Sequence, residues 1–150
     1  MSKKEKIIGV LGGMGPDATV DLFQKIVSKT SAEKDQDHHK LLIYNNPKIP
    51  DRTTAILGNG ENPLPELIKS AEKLEGAEAN FLVIPCNTAH YYYEELSKAT
   101  KIEIINMIEE VAKRVEENNN IKKVGLMGTK GVIKSKIYHQ ELLEYGIEVI

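Results

Sequence analysis

Tryptophan is absent from this 150-residue chain, and there is one cysteine. A single cysteine cannot close an internal disulfide, so a reducing cytoplasm is the natural setting. Charge of one sign is not in excess: the formal net charge is -2. That gives no reason to expect nucleic acid or an anionic membrane as a partner. Long apolar runs are missing too. The basic opening Met1–Lys6 leads into an apolar run that soon meets Gly12-Gly13, too short for a signal peptide or a membrane span. No recognised metal-ligand spacing is present. His38-His39 with Asp35 and Asp37 lie in a solvated charge run, and Cys86 and His90, one helical turn apart, have no further ligands in view. What remains is 41% hydrophobic and 28% charged, the composition of a soluble globular protein with enough chain for a sizeable core.

The most informative stretch is Phe81-Leu82-Val83-Ile84-Pro85-Cys86-Asn87-Thr88-Ala89-His90. Its first half is apolar throughout, the pattern of a strand buried on both faces of a parallel sheet. Pro85 closes the run because it cannot donate to a ladder. Cys86 then stands at a strand end, where open parallel sheets bind ligands. Asn87 and Thr88 are good caps, and Ala89–Ala99 reads as a helix. A thiol beside a helix N-terminus should have its pKa lowered from about 8.5 toward neutrality, making it a usable base or nucleophile. Cysteine is also a small buried hydrophobe; the strand end and the polar neighbours favour the functional reading.

Ile7–Leu11 reads as a buried strand, followed by Gly12-Gly13-Met14-Gly15-Pro16 and a helix with Val20, Phe23 and Val27 on one stripe. Glycines before a helix N-terminus suit either an anion cradle or a tight turn with no ligand. Gly13–Ala18 fits a dinucleotide glycine pattern only weakly, since the second strand, Leu41–Tyr44, ends in Asn45-Asn46 and not in an acidic residue. Thr30–Lys40 reads as a polar loop. In Asn45–Thr53, Pro47 and Pro50 hold Arg52 in a defined place, either as a two-pronged carboxylate clamp or as half of an idle Asp51–Arg52 surface pair. Pro63–Leu74 is an amphipathic helix burying Leu64, Leu67, Ile68, Ala71 and Leu74, with Gly76 as its cap. Tyr91-Tyr92-Tyr93 suits core and interface packing.

Ile102–Ile105 reads as a fourth strand and Ile108, Val111, Ala112 and Val115 as a helix stripe, which gives an α/β fold with a parallel sheet flanked by helices. Glu116–Asn120 is polar and marks a boundary, with a first domain over 1–118 and the beginning of a similar second one over 121–150. The restart Val124-Gly125-Leu126-Met127-Gly128-Thr129 echoes Ile8-Gly9-Val10-Leu11-Gly12-Gly13. Convergence on one strand-turn solution and duplication both explain the echo; duplication is the sharper reading. The repeat offset then places a second-half counterpart of Cys86 about 50 residues beyond Ile150. The apolar run Ile147–Ile150 has nothing to close a second sheet, so the second domain is expected to be incomplete.

Taken in order, Gly9–Pro16, Asn45–Thr53 and Pro85–His90 resemble the aspartate/glutamate racemase family, most of all its aspartate racemase branch, along essentially the whole chain. The resemblance implies two similar α/β domains with the active site between them, one cysteine from each, no cofactor, and a homodimer. Its substrate would be a small dicarboxylic amino acid. It implies Cys86 as one catalytic acid/base and Met14, Arg52, Asn87 and Thr88 as substrate contacts, with Thr129 from the second domain. Two features depart from the family pattern: the second cysteine motif is absent, and Gly128-Thr129-Lys130-Gly131-Val132 lacks the second hydroxyl of a Gly-Thr-x-x-Thr turn. Interconversion of L- and D-aspartate or glutamate by two-base proton transfer at Cα is the implied reaction, and this chain alone is expected to be inactive. A maleate isomerase-like isomerase or lyase with Cys86 as nucleophile, or a ligand-binding domain without chemistry, are the alternatives.

Overall fold

The computed structural model describes residues 5–118 and 120–150. Met1–Lys4 of the basic opening, and Asn119 of the polar boundary stretch, lie outside the described residues. Four strands, β1 (Ile7–Gly12), β2 (Lys40–Asn45), β3 (Phe81–Val83) and β4 (Glu103–Ile104), form one sheet in the order β2-β1-β3-β4. All its pairings are parallel, as near-continuous apolar strands separated by helices require. The α/β architecture read from the sequence is the one found.

Helix α1 (Pro16–Lys29) follows β1, with Pro16 in its first turn and Gly15 as N-cap. The stripe Val20, Phe23 and Val27 is solvent-exposed; the inward residues are Thr19, buried, and Ala18, Leu22 and Ile26, half-buried. The face that packs lies one step around the helix from the Val20–Phe23–Val27 stripe. Helix α2 (Arg52–Ile56) stands where the sequence suggested only a rigid loop, and the Asp51 side chain caps it by accepting from Thr54 N–H at 2.7 Å. Helix α3 (Leu64–Gly76) buries Leu67, Ala71 and Leu74 against Leu11 and Leu82 of the sheet, with Leu64 and Ile68 at the margin. Gly76 is the last helical residue, and the left-handed conformation that ends the helix falls on Glu78 instead.

After Pro85 the chain makes a tight turn, Cys86 N–H donating to Ile84 O at 2.8 Å. Thr88–Tyr92 is then a 3₁₀ turn, and helix α4 (Tyr93–Ala99) starts only at Tyr93. The expected helix from Ala89 thus begins four residues late. Asn87 is itself helical in backbone and offers no side-chain cap, so the α-helical start expected beside Cys86 is not next to it.

Helix α5 (Met107–Glu116) is capped by the Asn106 side chain, which accepts from Ile108 N–H and Glu109 N–H at 3.0 and 3.4 Å. Strand β5 (Lys123–Val124) is two residues long and opens the restart that echoes β1. It pairs in parallel with β6 (Glu148–Val149), so the terminal apolar run does find a strand partner. Between them lie α6 (Lys130–Ser135) and α7 (Ile137–Glu144). A second core joins Ile108 and Ala112 of α5 to Val132, Tyr138, Leu142 and Ile147, separate from the first core of Leu11, Leu82, Ile84, Cys86 and Leu96. Among the described residues no helix is long and apolar enough to cross a membrane.

Candidate active site

The carboxyl ends of β1, β2 and β3 carry Gly12-Gly13, Asn45-Asn46 and Pro85-Cys86 respectively. At the first of these the backbone is crowded. Gly13 has φ +100°, and a Cβ there would stand 2.4–2.5 Å from the Asn46 backbone. A Cβ on Gly12 would stand 2.4 Å from Thr19 Oγ1, and Gly13 N–H donates to that hydroxyl at 2.9 Å. Thr19 is a site neighbour the sequence reading missed; its place in the first turn of α1, one turn behind the glycines, was the available signal. The Gly13 amide is therefore committed within the protein. Gly15 has open space around its Cα and belongs to the unpaired first turn of α1.

Met14 is 7% exposed and packs into the first core, while its carbonyl accepts from Arg52 Nη2 at 3.4 Å. Arg52 Nη1 donates to Ile49 O at 3.2 Å and Pro50 O at 3.0 Å. The guanidinium is thus fixed by carbonyls of its own loop and of the glycine turn. Its Nε–H is buried and has no acceptor among the described residues; three of the five guanidinium donors are engaged by these carbonyls. The Asp51 carboxylate turns to the Thr54 amide and not to Arg52. That amide chiefly holds its pKa below the usual carboxylate range, against burial, with Arg52 a smaller contributor. The idle surface pair is not what the geometry shows.

Cys86 is 8% exposed, in the first core at the end of β3. Asn87 is exposed and Thr88 is buried. Both reach the second half of the chain. Thr88 Oγ1 and Thr129 Oγ1 are 3.2 Å apart, and the Tyr138 hydroxyl donates to Asn87 Oδ1. Thr129 also caps α6 by accepting from Val132 N–H at 3.2 Å. Gly131 permits this approach: a Cβ on it would stand 2.8 Å from Thr53 Oγ1 and 2.9 Å from Thr88 Cγ2. Val132, where the second threonine hydroxyl was missed, is 3% exposed and serves the second core. Tyr138 carried no motif in the sequence; only the packing of α7 reveals it. Burial pushes its phenol pKa up, so it donates as a neutral hydroxyl.

The structure links Met14 to Arg52 on the first side and Asn87 and Thr88 to residues across the two cores, with Cys86 between these groups in sequence and at the sheet end. The His90 ring, considered as a metal partner of Cys86, has both nitrogens engaged with backbone groups. No metal-binding cluster of three or more His, Cys, Asp or Glu occurs among the described residues. A cavity of about 460 Å³ beside the same turn is lined by Glu94, Glu95, Glu141 and Glu144 with His90 and Asn106, and does not include Cys86 or Arg52. Four carboxylates repel an anionic substrate, so this cavity does not suit a dicarboxylate.

The chain as a whole is similar to proteins of known identity. A broad specificity amino-acid racemase (RacX) from Bacillus subtilis strain 168 is 34% identical over 148 residues, 96% of this chain and 63% of that protein. A glutamate racemase from Aquifex pyrophilus is 31% identical over 83 residues, 55% of this chain and 33% of that protein. The solved structure of Picrophilus torridus aspartate racemase superposes with a TM-score of 0.88 at 36% identity, covering 97% of this chain and 62% of that one. An aspartate racemase homologue from Pyrococcus horikoshii OT3, TM-score 0.77 at 24% identity, shows the fold alone. The chain spans just under two thirds of the Bacillus and Picrophilus proteins. The family model for Asp/Glu/Hydantoin racemase matches residues 11–150, which takes in the glycine turn, the Arg52 loop, the Cys86 turn and the whole of the second core, and the chain belongs to that family.

Proposed function

We propose that this chain carries the Cys86 half of an amino-acid racemase that interconverts the L and D forms of a dicarboxylic amino acid, aspartate or glutamate, without a cofactor. The observation that carries the reading is the junction at the end of β3. The one thiol of the chain lies there, with an arginine fixed by backbone carbonyls on one side and Thr88–Thr129 and Asn87–Tyr138 crossing to the second core on the other. In this reading residues 1–118 form the first domain and 121–150 the beginning of a second. Helix α5 belongs to the first by sequence and lends its apolar face to the second.

Racemisation takes the Cα proton from one face and returns a proton to the other. Cys86 as thiolate accepts the proton on Sγ, and the electron pair left at Cα spreads onto the α-carboxylate. A second acid on the opposite face then protonates Cα. General acid–base transfer contributes only about 10²–10⁴-fold, so the developing carboxylate charge needs placed donors. The amides of Asn87 and Thr88 and that of Gly15 serve this role; the Gly13 amide, held by Thr19, does not. Arg52, held in place by three backbone carbonyls, takes the side-chain carboxylate and selects a diacid. Met14 walls the site, and Thr129 closes it from the second core.

With one thiol in the sequence, two-thiol racemisation is not complete within these residues. The 150-residue chain is expected to exchange the Cα hydrogen of one enantiomer slowly and with retention. Incubation with L- and D-aspartate and glutamate in D₂O, followed by mass spectrometry and chiral chromatography, tests this. Exchange that disappears in Cys86→Ala supports Cys86 as the base. Exchange unaffected by Cys86→Ala removes it, and rapid inversion by this chain would place a second base within these residues. A homodimer is the proposed assembly, to be read by sedimentation velocity.

A further inference from the structure

His90 is a buried titratable side chain that the proposed reaction leaves unused. It is 5% exposed, and each ring nitrogen meets a backbone group. Nδ1 lies 2.9 Å from the Cys86 carbonyl oxygen, and Met107 N–H donates to Nε2 at 3.1 Å. A carbonyl only accepts and an amide N–H only donates. The hydrogen therefore sits on Nδ1 and the lone pair on Nε2, which specifies one tautomer of the neutral ring. Burial pushes the imidazole pKa down, against the Cys86 and Ile105 backbone groups that favour the protonated ring. The Tyr93 ring lies parallel to it, 6.4 Å between centroids.

The two backbone partners belong to different parts of the molecule. Cys86 lies in the first core; Met107 opens α5, whose Ile108 and Ala112 lie in the second. We propose that His90 is a positioning residue for Cys86: its neutral ring, donating from Nδ1 to the Cys86 carbonyl and accepting from Met107 N–H on Nε2, fixes the Cys86 peptide against α5 and so sets where the thiol stands between the two cores. The functional meaning rests on the reading of Cys86 as the reacting group; the geometry does not. The bridge also polarises the peptide it grips. Withdrawing density from the Cys86 carbonyl makes the Asn87 N–H of the same peptide a better donor, and that amide is among those assigned to the developing carboxylate.

Two substitutions separate the halves of the bridge. Asparagine places its amide nitrogen where Nδ1 stands, so H90N keeps the donor to Cys86 and loses the acceptor for Met107. Glutamine places its amide near Nε2, so H90Q keeps the acceptor and loses the donor. The readout is the rate of Cys86 alkylation by iodoacetamide in the folded 150-residue chain, measured beside thermal unfolding. Either loss unties the Cys86 peptide from α5, so both variants are expected to react roughly fivefold faster than the parent, the change in loop opening that loss of one hydrogen bond of ordinary net strength gives. A parent-like rate in either variant, or rates that simply follow their unfolding midpoints, overturn the proposal. ¹⁵N NMR of the unsubstituted chain keeps it falsifiable if neither variant folds. Near neutral pH, Nδ1 should be protonated and Nε2 bare, and the opposite tautomer or a cationic ring overturns it. None of these readouts involves turnover. A chain that passes them without Cα exchange keeps the positioning role and loses the racemase reading; one that exchanges but fails them does the reverse.

Discussion

Gly9 and Gly125 hold corresponding places in the two strand–turn segments that look alike in sequence, and their surroundings differ completely. A Cβ on Gly9 would meet Leu82 Cδ2 at 2.6 Å and Ala79 Cβ at 2.9 Å; a Cβ on Gly125 would meet nothing within 4 Å. The reason is the company each strand keeps. β1 lies between β2 and β3 with α3 packed on the sheet, whereas among the described residues β5 pairs with β6 alone. The same glycine signal therefore marks a close approach of neighbouring elements in the first sheet and open space in the second. A repeat in sequence does not by itself establish equal packing.

Substitutions can break that contrast. The largest effect is expected for Gly9→Ala. Overpacking against Leu82 and Ala79, both buried, should cost about 2–3 kcal/mol in urea unfolding. A loss below about 0.5 kcal/mol would mean that the first sheet is no tighter than the second. An intermediate effect is expected for Thr129→Ala, which removes the cap on Val132 N–H and the contact with Thr88. It should cost about 1 kcal/mol and speed amide exchange in α6 while leaving β1 protected. Equal acceleration in β1 would show that the two cores open together. The smallest effect is expected for Gly125→Ala, within about 0.5 kcal/mol of the parent in either direction. A large loss there would reveal a neighbour for β5 beyond those described.

The parts of the fold that were legible in the sequence are those set by local pattern. β1, β2 and α3 lie within about two residues of where apolar runs and turn residues put them, within the usual scatter of element boundaries. Cys86 stands at a strand end because proline ends a ladder wherever it falls. What pattern missed was decided by neighbours. The Val20–Phe23–Val27 stripe is as regular as the packed face beside it, and only the position of the sheet says which turns inward. The turn after Cys86 stays 3₁₀ while His90 reaches Cys86 and Met107. Helix α2 had a visible signal in Asp51 three residues before Thr54, outweighed by the prolines ahead of it. The grip of Arg52 on three carbonyls, the Thr19 bond to Gly13 and the Tyr138 bond to Asn87 join residues whose meeting depends on the whole sheet. No motif encodes them.

The position of β1 has a consequence for the order in which the chain assembles. β1 leaves the ribosome before either of its partners, yet it ends up flanked on both edges, by β2 from residue 40 and by β3 from residue 81. One edge of Ile7–Gly12 must wait until residues 81–83 have been synthesised. Until then its amides and the apolar side chains of Ile8, Val10 and Leu11 stand open to any other extended segment, an exposure inherent in parallel sheets closed over long stretches of chain. Nascent chains arrested at increasing lengths should resist protease at β1 only once residues 81–83 have cleared the exit tunnel. Protection appearing with β2 alone would show that one neighbour is enough.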